Sequence, residues 1–220
     1  LAIISLHLQP KETYLELCAA PGFKTILAHD LVSGQLDITA VDNNEKRFLS
    51  LQKFLQQFNI KAKTHLTDGV TFQGGMYDKV LIDAECSCEG MVVKYDRKLE
   101  KDVSGLKSVL RRSNKDIKEL SFLQQRLLQN GFNHLKVGGT LVYATCAMNR
   151  YENEDVIQHF TSTNDDAVIE LPDISQYEVD TNISPVGIRI IPGKTKGLYF
   201  TRITKITSTS SNYKVLRTNY

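Results

Sequence analysis

Tyr14-Leu15-Glu16-Leu17-Cys18-Ala19-Ala20-Pro21-Gly22-Phe23-Lys24-Thr25-Ile26-Leu27 reads as a hydrophobic strand, a turn of small residues and the opening of a helix. The strand runs from Tyr14 to Cys18, Ala19 to Gly22 turn the chain, and the helix is expected to bury Ile26, Leu27 and Leu31. A unit of this kind brings backbone N–H groups and a close main chain up to a nucleotide-like ligand. It carries one glycine, Gly22, where dinucleotide folds want three, so a nicotinamide-dependent oxidoreductase is a remote reading.

Outward from this unit the pattern recurs. Asp37–Val41, residues 62–66, Lys79–Ile82 and Thr140–Thr145 read as further strands, the last following a Gly138-Gly139 turn. Asn44 to Asn59 sets Phe48, Leu51, Leu55 and Phe58 at steps of three and four, the apolar stripe of a surface helix. Asn114 to Leu135 reads as a long helix with Leu120, Leu123, Leu127 and Leu135 inward, and Glu152 to Phe160 as another. Strands alternating with helices predict an α/β fold with a mostly parallel central sheet and helices on both faces. Segments 167–171, 187–191 and 198–204 are expected to add antiparallel strands, and the aperiodic stretch from Glu89 to Ser113 reads as a long loop.

The chain has 220 residues, 41% hydrophobic and 24% charged, enough for one buried core. We expect one domain over 1–206 and a basic tail over 207–220. No run approaches the roughly 20 apolar residues of a membrane span, and the opening Leu-Ala-Ile-Ile-Ser-Leu-His-Leu is too short for a secretory signal. Cys18, Cys86, Cys88 and Cys146 lack paired metal spacing, which predicts no metal site. Free cysteines fit a reducing compartment: cytoplasm, nucleus or nucleolus, or a mitochondrial matrix. The net charge of +2 is unevenly placed, with nine basic residues against four acids from Lys94 to Lys118. Lys194, Lys196, Arg202, Lys205, Lys214 and Arg217 follow Pro192 with no acid among them. Clusters like these suit a polyanion, or equally a solvated loop and tail.

Three motifs sit after three of the strands: Glu16-Leu17-Cys18-Ala19-Ala20-Pro21-Gly22-Phe23-Lys24-Thr25, Asp83-Ala84-Glu85-Cys86-Ser87 and Ala144-Thr145-Cys146, with Glu152-Asn153-Glu154 shortly beyond. In this order they resemble the Sun/Fmu-type (RsmB/NOP-like) RNA cytosine C5 methyltransferases, whose patterns run D-x-C-A-A-P-G-G-K-T, D-A-P-C-S, S-T-C-S and E-N-E. Arg189, Pro192, Gly197, Tyr199 and Phe200 echo the family's C-terminal strands, so the resemblance spans roughly residues 8 to 204. Three departures stand out: Glu16 for Asp, Phe23 for the second Gly, and Glu85 for Pro.

The resemblance implies a Rossmann-like class I S-adenosylmethionine-dependent methyltransferase that acts, as a monomer, on tRNA or rRNA. The cofactor set it implies is Cys18, Ala19, Ala20, Pro21, Gly22, Phe23, Lys24, Asp42, Asp68 and Asp83. Asp42 ends the second strand, where an acid accepts from ribose hydroxyls, and Asp68 is placed beside the adenine ring. Cytosine C5 is a weak nucleophile, and thiolate attack at C6 makes it enamine-like. By motif match Cys146 attacks, Cys86 assists release, and Asp83 and Lys24 meet the base. Cys18 and Cys88 read as small core residues. Phe23 adds bulk that is harmless if its φ is negative. Glu85 is expected to disfavour the Cys86 thiolate and slow release. An RNA-binding assembly factor of degenerate methyltransferase fold is the alternative reading, against which both cysteines speak. Leu1 in place of an initiator methionine leads us to expect a piece of a longer protein, without its RNA-recognition domain.

Overall fold

The computed structural model describes residues 1–91 and 112–207. Its single sheet is built from β1 (Thr13–Leu17), β2 (Asp37–Asp42), β3 (Ala62–Leu66), β4 (Tyr77–Asp83), β5 (Leu135–Thr145), β6 (Ala167–Ile169), β7 (Thr181–Ser184), β8 (Gly187–Ile190) and β9 (Leu198–Lys205). The order is β3-β2-β1-β4-β5-β9-β8-β7, with β6 also paired to β9. The first five strands are parallel and those from β9 onward antiparallel. Four helices accompany them among the described residues: α1 (Phe23–Leu31), α2 (Glu45–Gln57), α3 (Asn114–Asn133) and α4 (Glu154–Thr163). The strand order reverses between β1 and β4, and the crevice outside the carboxyl ends of such strands is where open α/β sheets hold ligands.

Both faces of the parallel strands are covered, so successive residues of β1 enter different cores. Tyr14 packs with Ala28, Leu51 and Val142 on one side; Leu15 and Leu17 pack with Leu127, Leu128 and Tyr143 on the other. Glu16 lies on the Tyr14 side, wholly buried, and accepts from Thr25 Oγ1 at 2.7 Å and from the Tyr14 hydroxyl at 3.1 Å.

Several sequence expectations are corrected here. On α1 the buried residues are Thr25 and Ala28, while Leu27 and Leu31 are exposed. The Thr25 bond to Glu16 turns the helix's small-residue face to the sheet. Phe58 is exposed because α2 stops at Gln57 and Phe58 is its cap. Leu135 is the first residue of β5 rather than the last of α3, and Gly138-Gly139 sits inside that strand at a register shift between Tyr77 and Lys79. β7 had no expectation: its residues are mostly exposed and lack alternation. Arg202 and Lys205 belong to β9; Arg202 reaches Glu170 at 3.5 Å, and Lys205 donates to the Phe132 carbonyl at 3.1 Å. Most of the Lys94–Lys118 cluster and the tail after Thr207 fall outside the described residues.

Candidate active site

The turn after β1 is held from the end of β2. Ala19 N–H donates to the Val41 carbonyl at 2.9 Å and Ala20 N–H to Asp42 Oδ2 at 3.0 Å. Arg47, from the first turn of α2, donates to the Ala20 carbonyl at 2.7 Å and to Asp42 Oδ2 at 3.3 Å, while Asn44 N–H donates to Asp42 Oδ1. The left-handed step falls on Gly22 (φ +106°), and a Cβ there would come within 2.8 Å of the Leu51 side chain. Phe23 therefore enters α1 with ordinary backbone. Its exposed ring stacks on Phe54 at 5.2 Å, which carries its bulk onto α2.

A cleft opens beside this turn, lined by Cys18, Asp42, Asp68, Glu85, Leu123 and Leu127 among others. Leu123 and Leu127 give it one apolar side, and three carboxylates, Asp42, Asp68 and Glu85, face the rest. Asp42 is nearly sealed, and three donors already use most of its roughly four acceptor positions, so about one is left for a hydroxyl. Asp68 accepts only from Val70 N–H among the bonds described for its carboxylate, and it is half-buried at the rim. Of Asp42 and Asp68, Asp68 keeps the freer carboxylate among the bonds described.

At the carboxyl end of β4, Asp83 forms an ion pair with Lys24, both side chains about one-third exposed. Burial alone would lower the Lys24 pKa, but the Asp83 carboxylate outweighs it and holds the amine above its usual range. The Cys146 thiol lies close enough to add to that pull. Its sulfur stands 3.0 Å from Cys86 Sγ, which is itself 4.0 Å from Cys88 Sγ. Cys88, expected to be a core residue, is instead half-buried in this cluster with a left-handed backbone (φ +65°).

The three thiols share protons unequally. Contacts with Cys146 and Cys88, then burial, push Cys86 well above the ordinary thiol value. Cys88 is lowered to about 3 by sulfur hydrogen bonds from Cys146 and Cys86, with Arg112 assisting. Cys146 gains from its contact with Cys86, but the contact with Cys88, burial and the charges of Cys88 and Asp83 carry it up to about 12. Cys18 is likewise pushed up to about 12, chiefly by burial and then by Asp42 and Asp83. Glu85, expected to oppose the Cys86 thiolate, lies at the cleft instead, and its backbone N–H meets the Cys18 sulfur, a bond that proline could not make.

All three residues of Glu152-Asn153-Glu154 brace this site. Glu152, wholly buried, accepts from Ser87 N–H at 3.0 Å, from Gln124 Nε2 at 2.9 Å and from Asn149 Nδ2 at 2.7 Å, which fixes the Cys86 loop against β5 and α3. Asn153 accepts from Thr145 Oγ1 at 2.6 Å and donates to the carbonyls of Ala147 and Asn149, clamping the loop on both sides of Cys146. Glu154 receives Arg189 of β8 at 2.6 Å. Main-chain bonds complete the frame: Gly90 N–H donates to the Cys146 carbonyl and Gly197 N–H to the Gly90 carbonyl, both at 2.8 Å. A Cβ on Gly90 would meet both the Cys146 and Gly197 carbonyl oxygens at 2.8 Å. Gln124, Asn149 and Gly90 were not foreseen, since nothing in their local sequence ties them to distant loops.

Asn153→Ala leaves the Thr145 hydroxyl and two buried carbonyls without their partner. It is expected to cost about 2 kcal/mol, seen as a fall in melting temperature of about 4–8 °C. An unchanged melting curve would mean that water replaces the clamp.

The family model for the 16S rRNA methyltransferase RsmB/F matches residues 3–204, nearly the whole described chain. The chain belongs to the RsmB/F family. The ribosomal RNA small subunit methyltransferase B of Shewanella oneidensis is 33% identical over 205 residues, covering 90% of this chain and 44% of that protein. The chain thus spans under half the length of this RsmB relative. A methyltransferase homologue from Pyrococcus horikoshii superposes with a TM-score of 0.75 at 25% identity, covering 93% of this chain and 65% of its own. The NSun6 structure from the same organism, solved with SFG, gives 0.78 at 22% identity, covering 94% and 51%. RsmB/F proteins are S-adenosylmethionine-dependent methyltransferases, as the motifs implied, and the Rossmann-like sheet agrees with both neighbours.

Proposed function

We propose that this chain carries the catalytic part of an RNA cytosine C5 methyltransferase that works through a covalent cysteine–C6 adduct. The observation that carries the reading is the meeting of Cys146 and Cys86 at 3.0 Å next to the Lys24–Asp83 pair. Two thiols from the loops after two different strands, beside an ion pair, match the needs of that chemistry. Asp42, Asp68 and the turn from Cys18 to Lys24 would hold S-adenosylmethionine, which would supply the methyl group when bound.

The remaining work falls to the chain's own side chains. Asp83 fixes Lys24, whose ammonium donates to the oxygen or ring nitrogen of an extruded cytosine and offsets the charge that develops there. The Cys146 proton passes to water, its thiolate forms a bond to C6, and the C5=C6 π pair that is broken moves onto C5 and the ring. Lys24, whose ammonium interacts with Cys146, is the cation that favours the attacking thiolate. After methyl transfer the C5 proton is removed, the electrons of that C–H bond re-form the double bond, and the Cys146–C6 bond breaks. Cys86 is placed to assist that release as proton donor or acceptor. Glu152 and Asn153 position the two cysteines without touching the base.

The substrate class we favour is small-subunit rRNA, on the strength of the family description and the curated relatives. Incubation with labelled S-adenosylmethionine and either 16S rRNA or total tRNA checks it. Label recovered as 5-methylcytidine in 16S rRNA is the expected result. Label confined to tRNA would reassign the substrate, and label in another base would overturn the chemistry.

A further inference from the structure

The thiol cluster contains one sulfur more than the reaction uses. Cys86, Cys88 and Cys146 place their sulfurs all within 4.8 Å of one another, one buried and two half-buried. An ion bound by three thiolates at about 2.3 Å separates its sulfurs by about 4 Å. The Cys86–Cys88 distance of 4.0 Å already has that value, and Cys146 at 3.0 Å from Cys86 needs to withdraw by only about 1 Å. Sequence spacing concealed this set, because Cys146 arrives from a strand 60 positions away from Cys86. The left-handed backbone at Cys88, which costs a non-glycine residue energy, keeps its thiol turned toward the other two rather than into the core.

We propose that Cys86, Cys88 and Cys146 form a binding site for a soft d10 cation, the class of Zn²⁺ and Cu⁺. Three thiolate ligands from two loops favour such ions over hard Mg²⁺ or Ca²⁺. Two half-buried ligands leave an open side for entry and for a fourth, non-protein ligand. Binding forms three S–metal bonds, replaces the S–H bonds of those cysteines that still carry a proton, and releases those protons. The loops are already braced by Glu152, Asn153 and the Gly90 bonds, so little further ordering is required. Because Cys146 is a ligand, metal and RNA exclude each other, and this consequence alone rests on the function proposed above.

Titration of the reduced protein with Cd²⁺, followed by its thiolate-to-metal absorption in the near ultraviolet, reads the site without any methyl transfer. The expected result is one Cd²⁺ per chain with a band of three thiolates, reversed by a chelator and competed by a large excess of Zn²⁺. Cys88→Ser should lose about a third of the band and bind at least about tenfold more weakly, and Cys18→Ser should leave the band intact. A thermal shift with Cd²⁺ gives an independent measure: the native midpoint rises and that of Cys88→Ser does not. Equal binding by native protein and Cys88→Ser, a two-thiolate band, or no band overturns the proposal. Methyl transfer then reports the exclusion: Zn²⁺ should stop the native protein at a concentration Cys88→Ser survives. Failure of methyl transfer on every RNA tried would count against the proposed function while leaving the cadmium result standing.

Discussion

Cys146→Ala is expected to reduce methyl incorporation into RNA at least about a thousandfold, since loss of a covalent nucleophile removes the step that activates the base. It should also abolish any protein–RNA adduct that survives denaturing electrophoresis. Cys86→Ala is expected to do the opposite to the adduct, which should accumulate because attack remains while release is impaired. The contrast between the two variants is the decisive readout, as a merely structural role for either cysteine would lower both products together. Survival of methylation in Cys146→Ala would sink the covalent route through this cysteine and point to different chemistry. The departure at Glu85 enters this comparison in a modified form. Its backbone contact with Cys18 and its place at the cleft leave the elevated Cys86 value to the neighbouring thiols and burial. Glu85→Pro should therefore alter cofactor binding more than adduct lifetime.

Glu16→Gln is expected to stabilise the protein above neutral pH by about 3 kcal/mol. Glu16 is wholly buried, and desolvation raises its pKa from 4.5 to about 7 against the opposing pulls of the Thr25 bond and Lys24, with Asp83 adding to the rise. A carboxyl that binds its proton more tightly when folded favours the fold while protonated. Stability from this group is therefore complete below about pH 4.5, declines as the pH climbs toward 7, and is absent above it. A gap from 4.5 to about 7 corresponds to about 3 kcal/mol at about 1.4 kcal/mol per tenfold. Glutamine keeps an acceptor for Thr25 and Tyr14 and carries no charge at any pH. Denaturant unfolding across this range should show the native protein losing stability between pH 5 and 7 and the variant holding flat. Equal slopes for the two would mean that Lys24 keeps Glu16 ionised in the fold.

Elements whose apolar residues follow one period were legible before the structure. The four inner strands and α2 declared themselves by runs of Val, Ile and Leu and by a stripe from Phe48 to Leu55. α1 misled, because its face toward the sheet is made of Thr25 and Ala28, and burial decided by a hydrogen bond to Glu16 leaves no hydrophobic period. The meeting of Lys24 with Asp83 and of Cys86 with Cys146 could be foreseen only through their motifs, since the ion pair and the sulfur contact join residues about 60 positions apart. Cys88 was misread for the same reason: a Cys-x-Cys pair says nothing of a third thiol arriving from β5. The expectation for Asp42 held in position but not in availability, as Arg47 and two backbone N–H groups occupy most of its oxygens.

The bonds that lace Cys146, Gly90 and Gly197 run entirely through peptide groups. Side-chain swaps elsewhere cannot mend them, and only glycine has room at the middle station. Recombination between relatives would expose this dependence. A hybrid whose junction falls inside α2 or on β3 inherits all three segments from one parent and should keep its sulfur geometry. A junction between Gly90 and Cys146 brings the middle station from one lineage and its two neighbours from the other. Such hybrids should fail with a single inserted or deleted residue between Cys86 and Gly90, because the length of that stretch sets where the middle station meets its two neighbours.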